Sequence, residues 1–192
     1  MKQIILASAS PRRQELLRQM GVKFRVVTAE VHEEHGAGRS ARSLCRRNAV
    51  AKAAAVAQKF PKQTVLGADT LVHLCDECFC KPSSLAEARV MLRRLSGRTH
   101  HVTTACALVC GGRQKVFSVT TRVTFRELSR AQISAYLRAV PVLDKAGAYA
   151  VQLKGEWIVE ALHGSFTNVV GLPMERLRSE LAAWFDTLAG RP

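Results

Sequence analysis

The chain has 192 residues, 47% of them hydrophobic and 23% charged, with a formal charge of +14 from 29 Lys and Arg against 15 Asp and Glu. That length supports one domain with a substantial core, and no apolar window comes near the roughly 20 residues of a membrane span. There is no low-complexity tract and no solenoid-length repeat.

The apolar segment at residues 3–8 predicts a buried strand. A helix over roughly 11–20 follows, opened by Pro11 at the first helical position and stopped by Gly21. Ser10 is placed to cap that helix. Its positive end, with Arg12 and Arg13 beside it, describes a seat for an anion. Residues 22–28 alternate as a second strand, and a polar loop from Glu30 to Ser40 carries His32, Glu33, Glu34 and His35. The Ala-rich run from Ala41 to Lys59 predicts a long helix ended by Pro61.

Residues 64–72 form an apolar strand interrupted by Asp69, and a turn through Cys75–Glu77 returns the chain to Lys81-Pro82. Ser84 and Glu87 read as a capping box for a helix to about Leu95, closed by Ser96-Gly97. Strands at 100–110 and 114–125 are joined at Gly111-Gly112, a hairpin signal. Ser129 and Gln132 cap another helix that Pro141 terminates. Residues 144–152 and 156–161 read as strands, 163–172 as a Gly-rich turn, and the last helix begins at Pro173. This order predicts one α/β domain, a twisted mixed sheet flanked by helices.

The charge has two readings. Twenty of the 29 cations are arginine, and they are scattered along the chain rather than set in one block. They suit solvated helix faces or local anion contacts at Arg12/Arg13, Arg42/Arg46/Arg47 and Arg93/Arg94/Arg98. Aromatics make up only 6%, which weakens single-strand binding by base stacking. A single Lys2 before a short apolar strand makes a poor signal peptide, so a cytoplasmic protein is expected. Six cysteines in such a chain are expected reduced. Cys75, Cys78 and Cys80 resemble half of a zinc site, but a matching second half is missing.

Asp69 is the unusual acid, because a carboxylate inside an apolar strand must be paired, hydrogen-bonded or bound to a metal. Glu33 could share a divalent ion with it, since Mg²⁺ takes a few carboxylates plus substrate phosphates. Lys52 and Lys81 suit phosphate contacts or plain solvation. Lys145 lies in the small-residue turn Asp144-Lys145-Ala146-Gly147-Ala148-Tyr149. A P-loop, a dinucleotide-binding glycine motif and a nucleophile elbow are all absent from the sequence.

Taken in order, these segments closely resemble the Maf family of nucleoside-triphosphate pyrophosphatases. The matching pieces are Ala7-Ser8-Ala9-Ser10-Pro11-Arg12-Arg13, Leu66-Gly67-Ala68-Asp69-Thr70, Lys81-Pro82, Leu95-Ser96-Gly97 with His100, Asp144 to Tyr149 with Gln152, and Gly164-Ser165 with Val169-Val170-Gly171-Leu172-Pro173. The resemblance implies an inosine-triphosphatase-like fold with a cleft between two lobes, and a homodimer. It implies hydrolysis of a nucleoside triphosphate to the monophosphate and pyrophosphate with Mg²⁺ or Mn²⁺. By matching position, Asp69 is the proton acceptor and, with Glu33, a metal ligand. Ser8, Arg13, Lys52 and Lys81 hold phosphates. Arg12, Thr70 and Gln152 resemble the subgroup acting on dTTP and UTP rather than the one acting on 7-methyl-GTP.

The resemblance also carries an association with nucleotide-pool cleaning and division arrest. The alternative from another class is a basic nucleic-acid-binding regulator. Two positions depart from the family pattern. His32 precedes Glu33 where an acidic pair is usual, and Cys75-Asp76-Glu77 replaces a turn that often carries Gly.

Overall fold

The computed structural model describes residues 3–28, 30–34, 40–75 and 77–190. His35 and Asp76, both named above, lie outside the described residues. Among the described residues, seven strands form one mixed sheet: β1 (Ile4–Leu6), β2 (Phe24–Val26), β3 (Val65–Leu74), β4 (Glu77–Phe79), β5 (Thr99–Cys110), β6 (Arg113–Phe125) and β7 (Val159–His163). Their order is β2-β1-β3-β5-β6-β7, with β4 paired to β3 off that path. β1 runs parallel to β2 and β3, and the remaining pairs are antiparallel.

The helices are α1 (Pro11–Gln19), α2 (Ala41–Ala57), α3 (Leu85–Leu95), α4 (Arg130–Ala139), α5 (Phe166–Val170) and α6 (Met174–Leu188). Period-two alternation sorts the strand side chains onto two faces. Ile5, Val65, Leu71 and Ala105 pack against Leu44, Ala49, Ala53 and Val56 of α2. Ile4, Leu6, Leu66 and Leu108 pack against Leu17 of α1 and Leu177, Leu181 and Trp184 of α6. A third cluster covers the far end of the long strands, where Val72, Val102 and Phe125 meet Leu92 and Leu95 of α3 and Ile133 and Tyr136 of α4.

One gap in this sheet positions everything that follows. β5 pairs with β3 continuously from Val65 to His73. On the opposite edge, β1 pairs only with Val65 and Leu66, and β4 only from Val72 to Leu74. Among the described residues no strand pairs with the edge at residues 67–71, which stays open just beyond the carboxyl end of β1, where open α/β sheets place ligands. Gly67 begins that open stretch because α2 lies against it: a Cβ there would fall 2.2 Å from the Ala49 carbonyl oxygen.

Several expectations need correction. Residues 144–152 are not a strand. They form turns and a short 3₁₀ segment at Ala146–Ala148, in which Gly147 and Ala148 have φ of +72° and +60°. No β-strand accommodates two such residues. The next strand starts at Val159 rather than at residue 156, because residues 155–157 form another 3₁₀ turn. The supposed turn at 163–172 contains α5, capped by the Ser165 side chain. Ser10 makes no side-chain cap on α1. Instead its own amide donates to Ser8 Oγ at 3.3 Å. At α3, Ser84 accepts from the Glu87 amide, but Glu87 returns its carboxylate to Ser83 and not to the capping residue.

Candidate active site

The open edge of β3 borders the smaller of two adjoining cavities, of about 260 and 730 Å³. Arg12, Arg13, Glu33, Lys52, Lys81 and Asp144 line both of them. Asp69, Thr70 and Gln152 line the smaller, whose other walls include Val72, Tyr149 and Val169. Ser8, Pro11 and His32 line the larger, around the start of α1. The structure thus brings all nine sequence-predicted site residues to one cleft.

Asp69 and Thr70 are consecutive on β3 and face opposite sides of the sheet. Asp69 faces α2 and is 4% exposed. Lys52 Nζ lies 2.7 Å from Asp69 Oδ1 and 2.7 Å from Glu33 Oε1, so one ammonium joins both acids. Asn48, one helical turn before Lys52, donates from Nδ2 to Asp69 Oδ2 at 3.2 Å. The same amide group accepts from the Glu34 amide at 2.8 Å and donates to its carbonyl oxygen at 3.2 Å. Asn48 therefore pins the segment carrying Glu33 beside Asp69. Sequence reasoning missed it, although an Asn four residues before Lys52 in an Ala-rich helix shares its face.

These acids fit a hard divalent cation. Two carboxylate oxygens already converge on a single cation, and oxygen donors suit Mg²⁺ or Mn²⁺. The cysteines do not build a comparable centre. Among the described residues, no three His, Cys, Asp or Glu side chains gather in a metal-holding arrangement. Cys78 lies in the short β3–β4 hairpin and Cys80 follows it to line the smaller cavity. Burial, together with the charges of Asp69, Glu33 and Glu87, pushes the Cys80 thiol above its ordinary pKa.

Arg13 serves as a clamp on the other face. Its Nε donates to the Gly171 carbonyl oxygen at 3.0 Å, Nη1 to Ser8 Oγ at 3.1 Å and Nη2 to Thr70 Oγ1 at 3.0 Å. Burial pulls its pKa below the ordinary value, opposed by the charge of Asp69, yet a guanidinium stays charged. Two of its five N–H groups remain for an anion. Arg12 instead crosses the cleft, with Nη1 2.7 Å from Asp144 Oδ2 and Nη2 3.2 Å from the Asp144 carbonyl oxygen. Burial would raise the Asp144 carboxyl, but hydrogen bonds from Lys145 and Arg12 outweigh it and hold the pKa low. Lys145 turns its ammonium to Asp144 and to the Pro141 carbonyl, so the protein already engages it.

Tyr149 completes the far wall. Its hydroxyl meets His100 Nε2 at 2.9 Å in the interior, and Phe125 packs edge-on against both rings. Burial drives the His100 pKa down to about 3, so this imidazole is neutral at physiological pH.

A sequence model of the family described as Maf-like protein matches residues 3–184. The chain is 48% identical over 171 residues to a protein of Akkermansia muciniphila named dTTP/UTP pyrophosphatase, covering 89% of this chain and 90% of that one. Proteins of the same name from Bacillus cereus and Symbiobacterium thermophilum are 46% and 47% identical. The first match covers 94% of this chain and 89% of the relative, the second 92% and 91%. Among solved structures, the Staphylococcus aureus Ham1 protein aligns with a TM-score of 0.47 at 18% identity, over 81% of this chain and 90% of that one.

Proposed function

The chain belongs to the Maf family, and we propose that it hydrolyses dTTP and UTP to the monophosphate and pyrophosphate. One observation carries this most directly. The smaller cavity, with Arg12, Thr70 and Gln152, opens beside the Asp69–Lys52–Glu33 cluster and runs into the cationic cavity at the start of α1. A nucleoside triphosphate has that layout, a flat base at one end and a polyanion at the other. The three relatives named above carry the dTTP/UTP name.

The triphosphate lies along Ser8, Arg13, Lys52 and Lys81, and the three cations among them offset its charge. The free N–H groups at the start of α1 add to this seat. Arg12, Thr70 and Gln152 choose the base. Water adds at the α–β phosphoanhydride, the bond to the pyrophosphate oxygen breaks, and Asp69 takes up the proton that water releases. Glu33 and Asp69 would hold a Mg²⁺ or Mn²⁺ ion, which supplies charge neutralisation on the phosphates when bound. Asn48 keeps both carboxylates in register, and Lys52 neutralises them.

A panel of nucleoside triphosphates assayed for pyrophosphate release with Mg²⁺ and with Mn²⁺ tests the substrate. Release from dTTP and UTP is expected, whereas inert dTTP and UTP beside a cleaved 7-methyl-GTP would overturn it. A cytoplasmic homodimer belongs to the same proposal, with the family resemblance as its support. Sedimentation of the purified protein and cell fractionation check these two points.

A further inference from the structure

Thr70 sits in a chain of hydrogen bonds whose proton directions can be counted, because each hydroxyl has one proton and a guanidinium has no acceptor. Arg13 Nη2 donates to Thr70 Oγ1 at 3.0 Å. At the other end, Thr104 Oγ1 lies 2.9 Å from the Asn168 carbonyl oxygen, which can only accept. Thr104 uses its single proton there. The 2.9 Å contact between Thr70 Oγ1 and Thr104 Oγ1 must then have Thr70 as the donor.

Nothing at that end is free to turn over. Thr104 and Asn168 are fully buried. The Asn168 Nδ2 group donates to the Val102 carbonyl oxygen at 2.9 Å and to Thr121 Oγ1 at 3.0 Å. Thr70 has therefore used its only proton and one of its two lone pairs. Toward the cavity it offers one acceptor and no donor.

We propose that Thr104 is a positioning residue for base selection: by taking the Thr70 proton, it fixes Thr70 as the acceptor for the imide N–H of uracil or thymine. This rests on the pyrimidine-triphosphate substrate proposed above. Arg12 and the Gln152 amide supply N–H donors in the same cavity. Donors around one acceptor complement an imide, in which two carbonyl oxygens flank one N–H. Cytosine presents an unprotonated ring nitrogen at that place, so two acceptors would meet and both would stay unpaired.

The Thr104→Val variant keeps the side-chain shape and frees the Thr70 proton to serve the cytosine ring nitrogen. The ratio of kcat/KM for UTP over CTP is expected to fall roughly tenfold, the equivalent of one hydrogen bond. Thr104→Ser, which keeps the hydroxyl, should restore it. An unchanged ratio in folded Thr104→Val enzyme overturns the proposal.

A second measurement needs no variant. The imide of 5-fluorouracil loses its proton at lower pH than that of uracil. Activity of the wild-type enzyme on 5-fluoro-UTP should therefore decline at lower pH than activity on UTP, and coincident profiles overturn the proposal. Wild-type enzyme inert toward both UTP and dTTP would instead defeat the substrate assignment itself. Cleavage of UTP with an unmoved ratio or coincident profiles defeats only the role of Thr104.

Discussion

Lys52 Nζ is equidistant from Asp69 Oδ1 and Glu33 Oε1, 2.7 Å from each, although the two acids lie on different segments. One ammonium from α2 thus couples a strand carboxylate to a loop carboxylate. Asn48, one turn earlier, ties the same two segments by hydrogen bonds.

Asp69→Asn keeps the shape of the side chain and removes its charge. Turnover on UTP should fall by about 10² or more, the usual contribution of a positioned proton acceptor. Thermal unfolding of the same variant checks that the fold survives. Undiminished turnover would remove Asp69 from the chemistry.

Lys52→Met leaves two carboxylates facing one another, with Asp69 nearly buried. Breaking a buried pair typically costs about 3–5 kcal/mol. Partial exposure of Glu33 screens the repulsion, so a loss of about 1–3 kcal/mol is expected. Urea unfolding with and without Mg²⁺ should show stability returning as the ion takes over the role of the ammonium. A variant as stable as wild type without the ion would contradict the coupling.

Gly67→Ala should act on α2. The added Cβ meets the Ala49 carbonyl oxygen at 2.2 Å and the Ala53 amide nitrogen at 2.8 Å, both backbone atoms. The helix must retreat, at a cost of about 1–3 kcal/mol for overpacking. Asn48 and Lys52 retreat with it. The thermal midpoint and kcat should fall together, while a variant stable and fully active would show that α2 yields freely.

His100 gives a pH signature. Its folded pKa is near 3, lowered first by burial, then by the charges of His101 and His73. The unfolded chain protonates this imidazole near 6.5, so between these values the unfolded state binds more protons. Stability therefore rises with pH across that window and is lost as pH falls, by up to about 1.4 kcal/mol per unit. Urea unfolding at several pH values should show a shallower slope for His100→Gln than for wild type. A His100 ring resonance titrating near pH 6.5 in the native protein would refute the buried neutral state.

Much of the secondary structure was legible because it follows from local patterns. Pro11 and Gly21 bounded α1 to within one residue of its end at Gln19, and Gly111-Gly112 joined two strands found within one residue of expectation. The failures share a cause. Residues 144–152 read as a strand, but Gly147 closes against Val72 with positive φ and donates its amide to the Cys80 carbonyl oxygen. Those contacts are distant in sequence, and periodicity does not register them. Asn48, Thr104 and Asn168 were given no role for the same reason. Each is an ordinary polar residue until the fold gives it a partner.

The sequence by itself determined which chemical groups the protein has to work with: the strand carboxylate Asp69, the proline-opened helix with its two arginines, and the spaced lysines. These depend on residue type and short spacing. Only the tertiary structure decided their division of labour. β1 ends early and β4 begins late, so β3 keeps an open edge at residues 67–71. At that edge consecutive side chains diverge, Asp69 toward Lys52 and Asn48, Thr70 toward Arg13 and Thr104. The physical reason is the two-residue period of a strand: neighbours one bond apart in sequence can serve opposite faces of a sheet and still meet one cleft.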